Sequence, residues 1–497
     1  MKPWKYIKTY YSHCEKFLGK YSKTIAILLA IFYSVLVLLV TLNRFWQFEA
    51  FYYDHGYYES TIWNISRFKS PTVQHPALGR THIFADHVVP SMFLITPVYW
   101  LTDRYETTII VLALGAGFSV YFAYLIASKL IKNQFMIFAL LFAYMFYVGM
   151  QNALTFLLHP TTLMIFPLML LFWAIVNKKI TLYYILLIIN LGFKETVVTL
   201  TFALSIFLYF YSKKWRRHAL VTALITITHV FLVTKVIVPP LSPTGAFNYN
   251  PQWAEIATRL VTGWILPIKI QTMLATFTTF GFLPIFNPIF LPTIMQDFLL
   301  RYIIGPQAGF RWDLGQYYNS NLVVLMFFGS VIAVSRIQRM ESLSKIITPW
   351  AILIFILVSI LHRFVYHGPF GLAYNLEFYK HTFRQDFMWD FINKIPRNGK
   401  VMLQNNIAVF FTHNDVYILK DCQWINTVKP DVIAFDFRPG QNVNNWWPTT
   451  DHEMRMDVAL LKESPAYSVK YNDDYRYIFI KSDNNQVDLP CSKANDK

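Results

Sequence analysis

The sequence predicts an all-α polytopic membrane bundle of about 11 transmembrane helices, followed by a C-terminal external α/β domain. Three observations predict it. The 497 residues are 55% hydrophobic and only 14% charged, with a mean hydropathy of +0.36, too high for a soluble protein of this size. Long apolar stretches recur from Thr24 to Leu361, with Lys and Arg clusters marking the turns on one side. From His362 onward the composition becomes polar, with no further apolar run of span length.

The elements follow in order. Residues 1–23 carry Lys2, Lys5, Lys8, Lys16, Lys20 and Lys23, so the positive-inside rule makes this end cytoplasmic. Thr24–Leu42 is too long for a signal-peptide core and reads as a retained anchor. Residues 43–106 then form a large first external loop. Thr107–Ser128 returns to Lys129 and Lys132, Gln134–Met150 leaves again, and Thr161–Val176 comes back to Lys178 and Lys179. The apolar stretch from there to Lys213, Lys214, Arg216 and Arg217 is too long for one span and is flanked by cations at both ends. Two short spans with Lys194-Glu195 at the outer tip satisfy both facts. His218–Val238 exits, and Pro239–Thr262 is external. Gly263–Ile304 is an in-and-out pair broken at Asn287-Pro288, and Gly305–Asn319 is external. Leu322–Ser335 returns to Arg336, Arg339 and Lys345, and Ile346–Leu361 exits last. The membrane domain is thus residues 24–361 of an integral inner-membrane protein, and residues 362–497 form the external domain. Val88–Leu101 is too short to cross, and a crossing there would invert every later cluster, so it reads as re-entrant or interfacial.

The net charge of +16 is accounted for in part by cytoplasmic turns facing anionic headgroups. The basic residues are scattered between spans and form no single stripe, which argues against nucleic acid as a partner. Cys14 is expected to be cytoplasmic. Cys422 and Cys491 both fall in the external tail, where pairing and two free thiols are both open, and no cysteine spacing resembles a zinc site.

In the tail, Lys400–Leu403, Val416–Leu419 and Val432–Phe435 read as strands, with a short helix near Asn406–Phe411. Asp451–Lys462 reads as a helix capped by Thr449, Thr450 or Asp451. Tyr467–Tyr471 and Tyr475–Lys481 read as a hairpin around Asn472-Asp473-Asp474.

The chemistry-bearing residues sit in the external segments. The first loop opens with Phe51-Tyr52-Tyr53-Asp54-His55-Gly56-Tyr57-Tyr58-Glu59. A carboxylate close to hydrocarbon is costly unless paired, hydrated or used; Asp54 and Glu59 are therefore either solvated residues just outside the bilayer or functional acids. The same loop ends with Asp86-His87-Val88-Val89-Pro90. That pair suits a general base with its orienting partner, and a helix-start cap is the alternative. His159-Pro160 lies at the outer end of a span, where a hydrogen-bonded helix end is the plain reading. Lys194 and Glu195 either pair with each other or divide the work, Lys194 receiving a phosphate and Glu195 orienting a hydroxyl or metal. Arg301, Arg311 and Asp313 are further external charges, suited to phosphate or to lipid headgroups.

With these motifs in view, the chain resembles the DUF2079 family of predicted polytopic membrane proteins, grouped with the GT-C glycosyltransferases. The resemblance is carried by Tyr53-Asp54-His55-Gly56, Asp86-His87-Val88-Val89-Pro90, His159-Pro160, Lys194-Glu195-Thr196 and the tail from Ile395-Pro396 through Asp436. Gln316-Tyr317-Tyr318 stands where a His-Tyr pair is expected, which removes that histidine from consideration. The resemblance implies a GT-C-like fold and an inverting transfer of a sugar from a polyprenyl-phosphate donor to a glycan, lipid or protein acceptor. It implies Asp54, Asp86 and Glu195 as catalytic groups, with His55, Glu59, His87, His159, Lys194 and Arg311 binding substrate. A divalent cation is an open question, with Asp54, Asp86, His87 and Glu195 as its candidate ligands. The first pocket expectation is that Asp54, Asp86, His87, His159 and Glu195 converge.

Two other classes fit parts of the pattern. A transporter or flippase of a lipid-linked or anionic substrate would use broken spans and intramembrane charges, but it should carry them near the midplane, whereas here they cluster at one face. A non-catalytic envelope scaffold would need none of these acids.

Overall fold

The computed structural model describes residues 2–76, 78–249, 253–482 and 488–491. Residues 250–252 of the polar stretch Pro239–Thr262 lie outside the described residues. The chain divides into two compact units, one made of Met1–Thr41, Phe84–Leu94 and Ile109–Leu376, the other of Leu42–Ile83, Ile95–Thr108 and Glu377–Lys497.

The first unit is helical. Among the described residues five helices are long and apolar enough to cross a membrane: His13–Trp46, Thr107–Leu130, Lys213–Ile237, Tyr317–Ile337 and Ile347–Val365. Two bent pairs raise that to seven if each is one crossing: Gln134–Phe146 with Val148–Thr155, bent by 43°, and Glu255–Thr262 with Pro267–Thr279, bent by 63°. Both bends have a local cause. Tyr147 interrupts the first pair with an extended backbone at φ −61°, ψ 119°. Leu266 interrupts the second at φ −64°, ψ 132°, the conformation forced on a residue that precedes proline. The remaining predicted spans correspond in part to Pro160–Val176, Ile180–Leu191 and Val197–Tyr211, apolar helices below span length. The expected break at Asn287-Pro288 lies between a 3-10 turn at Leu283–Phe286 and the helix Leu291–Leu299. Arg336 donates to the Asn287 side chain at 3.0 Å, so this turn neighbours one of the cationic clusters that defined the inner side.

Ile180–Leu191 and Val197–Tyr211 have 12 and 15 residues. At about 1.5 Å per residue each spans roughly 18–23 Å, short of a hydrocarbon core of about 30 Å. Their connecting turn carries Lys194 and Glu195, and both side chains are buried.

The second unit holds seven strands. β1 (Thr72–His75) and β2 (Gly79–His82) form an antiparallel ribbon. β3 (Lys400–Leu403), β4 (Asp415–Ile418), β5 (Val432–Asp436), β6 (Tyr467–Asn472) and β7 (Arg476–Lys481) form a sheet of order β4-β3-β5-β7-β6. β3 pairs in parallel with β4 and β5, and β7 runs antiparallel to β5 and β6. Every residue of the central β5 is buried, as a strand covered on both faces requires. The helix Asp451–Glu463 packs beside it, capped by Thr450 in a reciprocal box with Glu453. Cys422 and Cys491 form a disulfide across a sequence separation of 69.

The loop segments Leu42–Ile83 and Ile95–Thr108 group with the tail, while Phe84–Leu94 belongs to the helical unit. Backbone-level bonds do this. Tyr52 N–H donates to Asn405 O at 2.8 Å. The Gln74 amide donates to Ile418 O at 3.1 Å and accepts from Ile418 N–H at 2.6 Å. β4 is a sheet edge, and Gln74 satisfies backbone groups that an edge would leave open.

Candidate functional site

Within the helical unit a cavity of about 960 Å³ opens beside the Lys194-Glu195 turn. Three segments supply its chemistry. The first is the loop Asp86–Val89. It is held to the turn because Ser91 N–H donates to Gly192 O at 2.9 Å and Ser91 Oγ donates to Ile189 O at 2.6 Å. A Cβ on Gly192 would lie 2.4 Å from Ser91 Oγ, so a side chain there would displace the hydroxyl that donates to Ile189 O.

That contact places His87 Nδ1 3.0 Å from Glu195 Oε1, with Asp86 Oδ2 3.7 Å from His87 Nε2. Tyr249 closes the group. Its ring stacks on His87 at 5.0 Å and 15°, and its hydroxyl donates to Asp86 Oδ1. Burial alone would push the His87 imidazole down, but the Asp86 and Glu195 carboxylates outweigh it and raise its pKa. Burial would likewise raise Glu195, but the His87 imidazolium and the Lys194 ammonium outweigh it and leave the carboxyl below its ordinary value. The two carboxylates thus favour the protonated form of the imidazole between them.

The second segment is His159, the N-cap of the turn Pro160–Leu163. Thr161 N–H donates to its Nδ1 at 3.2 Å. Its Nε2 stands 3.3 Å from Lys194 Nζ, and its ring stacks on Tyr317 at 3.5 Å and 16°. Burial and then the Lys194 ammonium hold the His159 imidazole well below its usual range. Lys194 also lies over the Tyr317 ring at 5.4 Å, a favourable place for an ammonium.

The third segment is cationic. Arg301 is buried, ion-paired with Asp297 at 3.0 Å, and donates to Asn319 Oδ1 at 3.1 Å. Arg311 lies over the Tyr318 ring at 5.2 Å. Arg301 Nη2, Arg311 Nε and Trp312 Nε1 are buried donors with no hydrogen-bond partner among the described residues. Lys194, Arg259, Arg301 and Arg311 all line the cavity. Apolar side chains such as Val197, Val230, Val233 and Leu300 line it as well. The lining thus joins charged side chains to an apolar wall.

Of the residues expected from sequence, His87, Lys194, Glu195 and Arg311 line this cavity, while Asp86 and His159 contact its lining. Asp54, His55 and Glu59 belong to the other unit. Asp54 sits there at a kink with φ 86°, ψ −87°, a backbone that non-glycine residues adopt at a cost of ~1–3 kcal/mol and mostly where function demands it. His55 is buried, and burial lowers its pKa to about 4. Glu59 accepts from Tyr99 Oη at 2.6 Å and pairs with His413 Nε2 at 2.7 Å. Among the described residues no group of three or more His, Cys, Asp and Glu is arranged to hold a metal ion.

Sequence reasoning missed Tyr249, Tyr317 as a stacking partner, Arg259 and His413. Tyr249, Tyr317 and His413 act through residues far away in the chain, whereas Arg259 pairs with Glu255 one turn before it. The Tyr317-Tyr318 dipeptide was the one available signal, since aromatic pairs in a polar external segment are unusual without a partner.

A model of the DUF2079 family, described as a predicted membrane protein, matches residues 44–475, and the chain belongs to that family. No curated protein sequence matches it. Among solved structures, it is similar to ArnT from Cupriavidus metallidurans in the apo state, with 11% identity, 92% of this chain and 98% of that chain covered, and a TM-score of 0.52. At that identity the likeness concerns the fold.

Proposed function

We propose that this DUF2079 protein is an inverting GT-C-type glycosyltransferase of the inner membrane, moving a sugar from a polyprenyl-phosphate donor to an acceptor at the external face. The observation that carries the reading is the cavity in which Lys194, Arg301 and Arg311 present cationic groups beside the Glu195–His87 pair, in a chain with the fold of ArnT, a GT-C glycosyltransferase. In the transfer, the bond between the sugar's anomeric carbon and the phosphate oxygen breaks as the acceptor oxygen attacks. The leaving phosphate gains negative charge, and fixed cations at that point lower the barrier. Lys194, held between His159 and Tyr317, and Arg311 are assigned that role.

The acceptor hydroxyl must lose a proton as its new bond forms. Asp54 is assigned as the acceptor-orienting base, from its position after the first span and its kinked backbone. Glu195 and Asp86, oriented through His87, are assigned to hold acceptor hydroxyls. The reading does not require a divalent cation, and among the described residues no group of three or more His, Cys, Asp and Glu is arranged to hold one.

The test is transfer by the purified chain in proteoliposomes from a panel of labelled polyprenyl-phosphate sugars. Labelled product that depends on Lys194 supports the reading. No transfer from any donor, together with movement of a lipid-linked substrate between leaflets, would replace it with the flippase reading.

A further inference from the structure

We propose that a second pocket in the helical unit, at the end of the helix Ile347–Val365, binds the phosphate of an anionic membrane lipid. The pocket is about 380 Å³ and is lined by His362, Arg363, His367, Tyr374 and Asn375, with no carboxylate among its lining residues. It shares no lining residue with the cavity at Lys194.

Its walls are built, not merely adjacent. Gln151 Oε1 accepts from Phe370 N–H at 3.2 Å, which identifies that atom as the amide oxygen, and lies 3.0 Å from His362 Nε2. His362 must then carry its proton on Nε2, leaving Nδ1 as the nitrogen able to take up a second one. Gly368 makes this packing possible: a Cβ there would lie 2.4 Å from the His362 ring and 2.7 Å from Gln151 Oε1. His367 supports the turn in a left-handed conformation, φ 47°. Arg363 is exposed and forms no ion pair with any described residue.

The surroundings identify the ligand as a lipid. Ile352, Ile356, Ile360 and Phe364 recur at helical spacing and are all exposed, making one apolar stripe that runs along the helix to the pocket. Tyr374 and Leu376, 65% and 81% exposed, continue it beyond. A phosphate held by Arg363 and the two histidines would place its acyl chains along that stripe. An arginine flanked by hydrogen-bonding side chains suits a phosphate diester better than a zwitterionic headgroup, whose ammonium would meet Arg363 and no carboxylate in the lining.

The experiment is native mass spectrometry of the full chain released from detergent with phosphatidylglycerol or phosphatidylcholine. The native protein should retain phosphatidylglycerol in preference, and R363Q with H367Q should weaken that retention about tenfold or more, as loss of a charged hydrogen-bond partner implies. Both positions are exposed, so the fold should survive, and R363K should restore most of the binding. K194Q should leave the adduct intact. Equal retention of both lipids, an adduct unaffected by R363Q/H367Q, or an adduct lost in K194Q would each overturn the proposal. Displacement by millimolar glycerol phosphate would also overturn it, by making the ligand a free phosphate.

Discussion

His87 Nδ1 stands 3.0 Å from Glu195 Oε1, joining the segment Phe84–Leu94 to the tip of a helical hairpin whose arms have 12 and 15 residues. Around this contact the helical unit gathers Asp86, Tyr249, Lys194 and His159. Its energetics can be measured without knowing a substrate.

The pair should give stability a definite pH profile. His87 is raised above its ordinary 6.5, so its contribution is complete below that value and is lost as pH rises through the raised one. Glu195 is lowered below 4.5, so its contribution is complete above that value and is lost as pH falls through the lowered one. Thermal stability in detergent should therefore plateau between about pH 4.5 and 6.5 and decline on the alkaline side. E195Q breaks a buried pair from one side and should cost roughly 3–5 kcal/mol while weakening the alkaline decline, which Asp86 still sustains in part. An E195Q protein with the native profile would show that the pair is not formed.

Lys194→Gln should lower transfer from a polyprenyl-phosphate sugar by ~10²–10³-fold, the usual effect of deleting one preorganised charge stabiliser. Lys194→Arg should recover part of the rate. Rates are read from labelled product in proteoliposomes. A K194Q protein within a few-fold of native would remove Lys194 from the leaving-group role.

Asp54→Asn keeps the shape of the kink and deletes the charge. It should insert and purify normally yet lose ~10²–10⁴-fold in transfer, the range of general-base catalysis. Near-native transfer would shift the base assignment to Asp86 or Glu195.

The disulfide supplies a test of sidedness. Cys422 and Cys491 are bonded, so a thiol reagent should find neither until a reductant is added. With a membrane-impermeant reductant and maleimide, intact cells should then be labelled at the tail. Labelling only after permeabilisation would place the tail inside. Cys422→Ser opens a loop set by a separation of 69 residues and should destabilise the sheet domain by roughly 4 kcal/mol on the chain-entropy account.

Much of the local structure was legible in the sequence because it is locally encoded. β3, β5 and the hairpin β6–β7 lie within a residue or two of the expected strands, and Thr450 is the cap because its hydroxyl can reach the Glu453 amide. Lys194-Glu195 was recognisable as a hairpin tip from helix length alone. What escaped was long-range. No pattern near Gln74 says that it will edge β4, and no pattern near Glu59 says that His413 will cover it. The expectation that Asp54 joins Glu195 rested on both lying at outer ends of spans. That rule fixes depth but not neighbours, and the two residues fall in different units.

The bare backbone of Gly192 against Ser91 makes the hairpin tip and the Asp86–His87 loop a single lever. Neither can swing out alone without breaking the hydrogen bond from Ser91 N–H to Gly192 O, so loosening of that bond and dispersal of the acid–imidazole group become one event. The exchange rate of the Ser91 amide proton is thus a built-in gauge of how often the assembled state comes apart, readable in the resting protein.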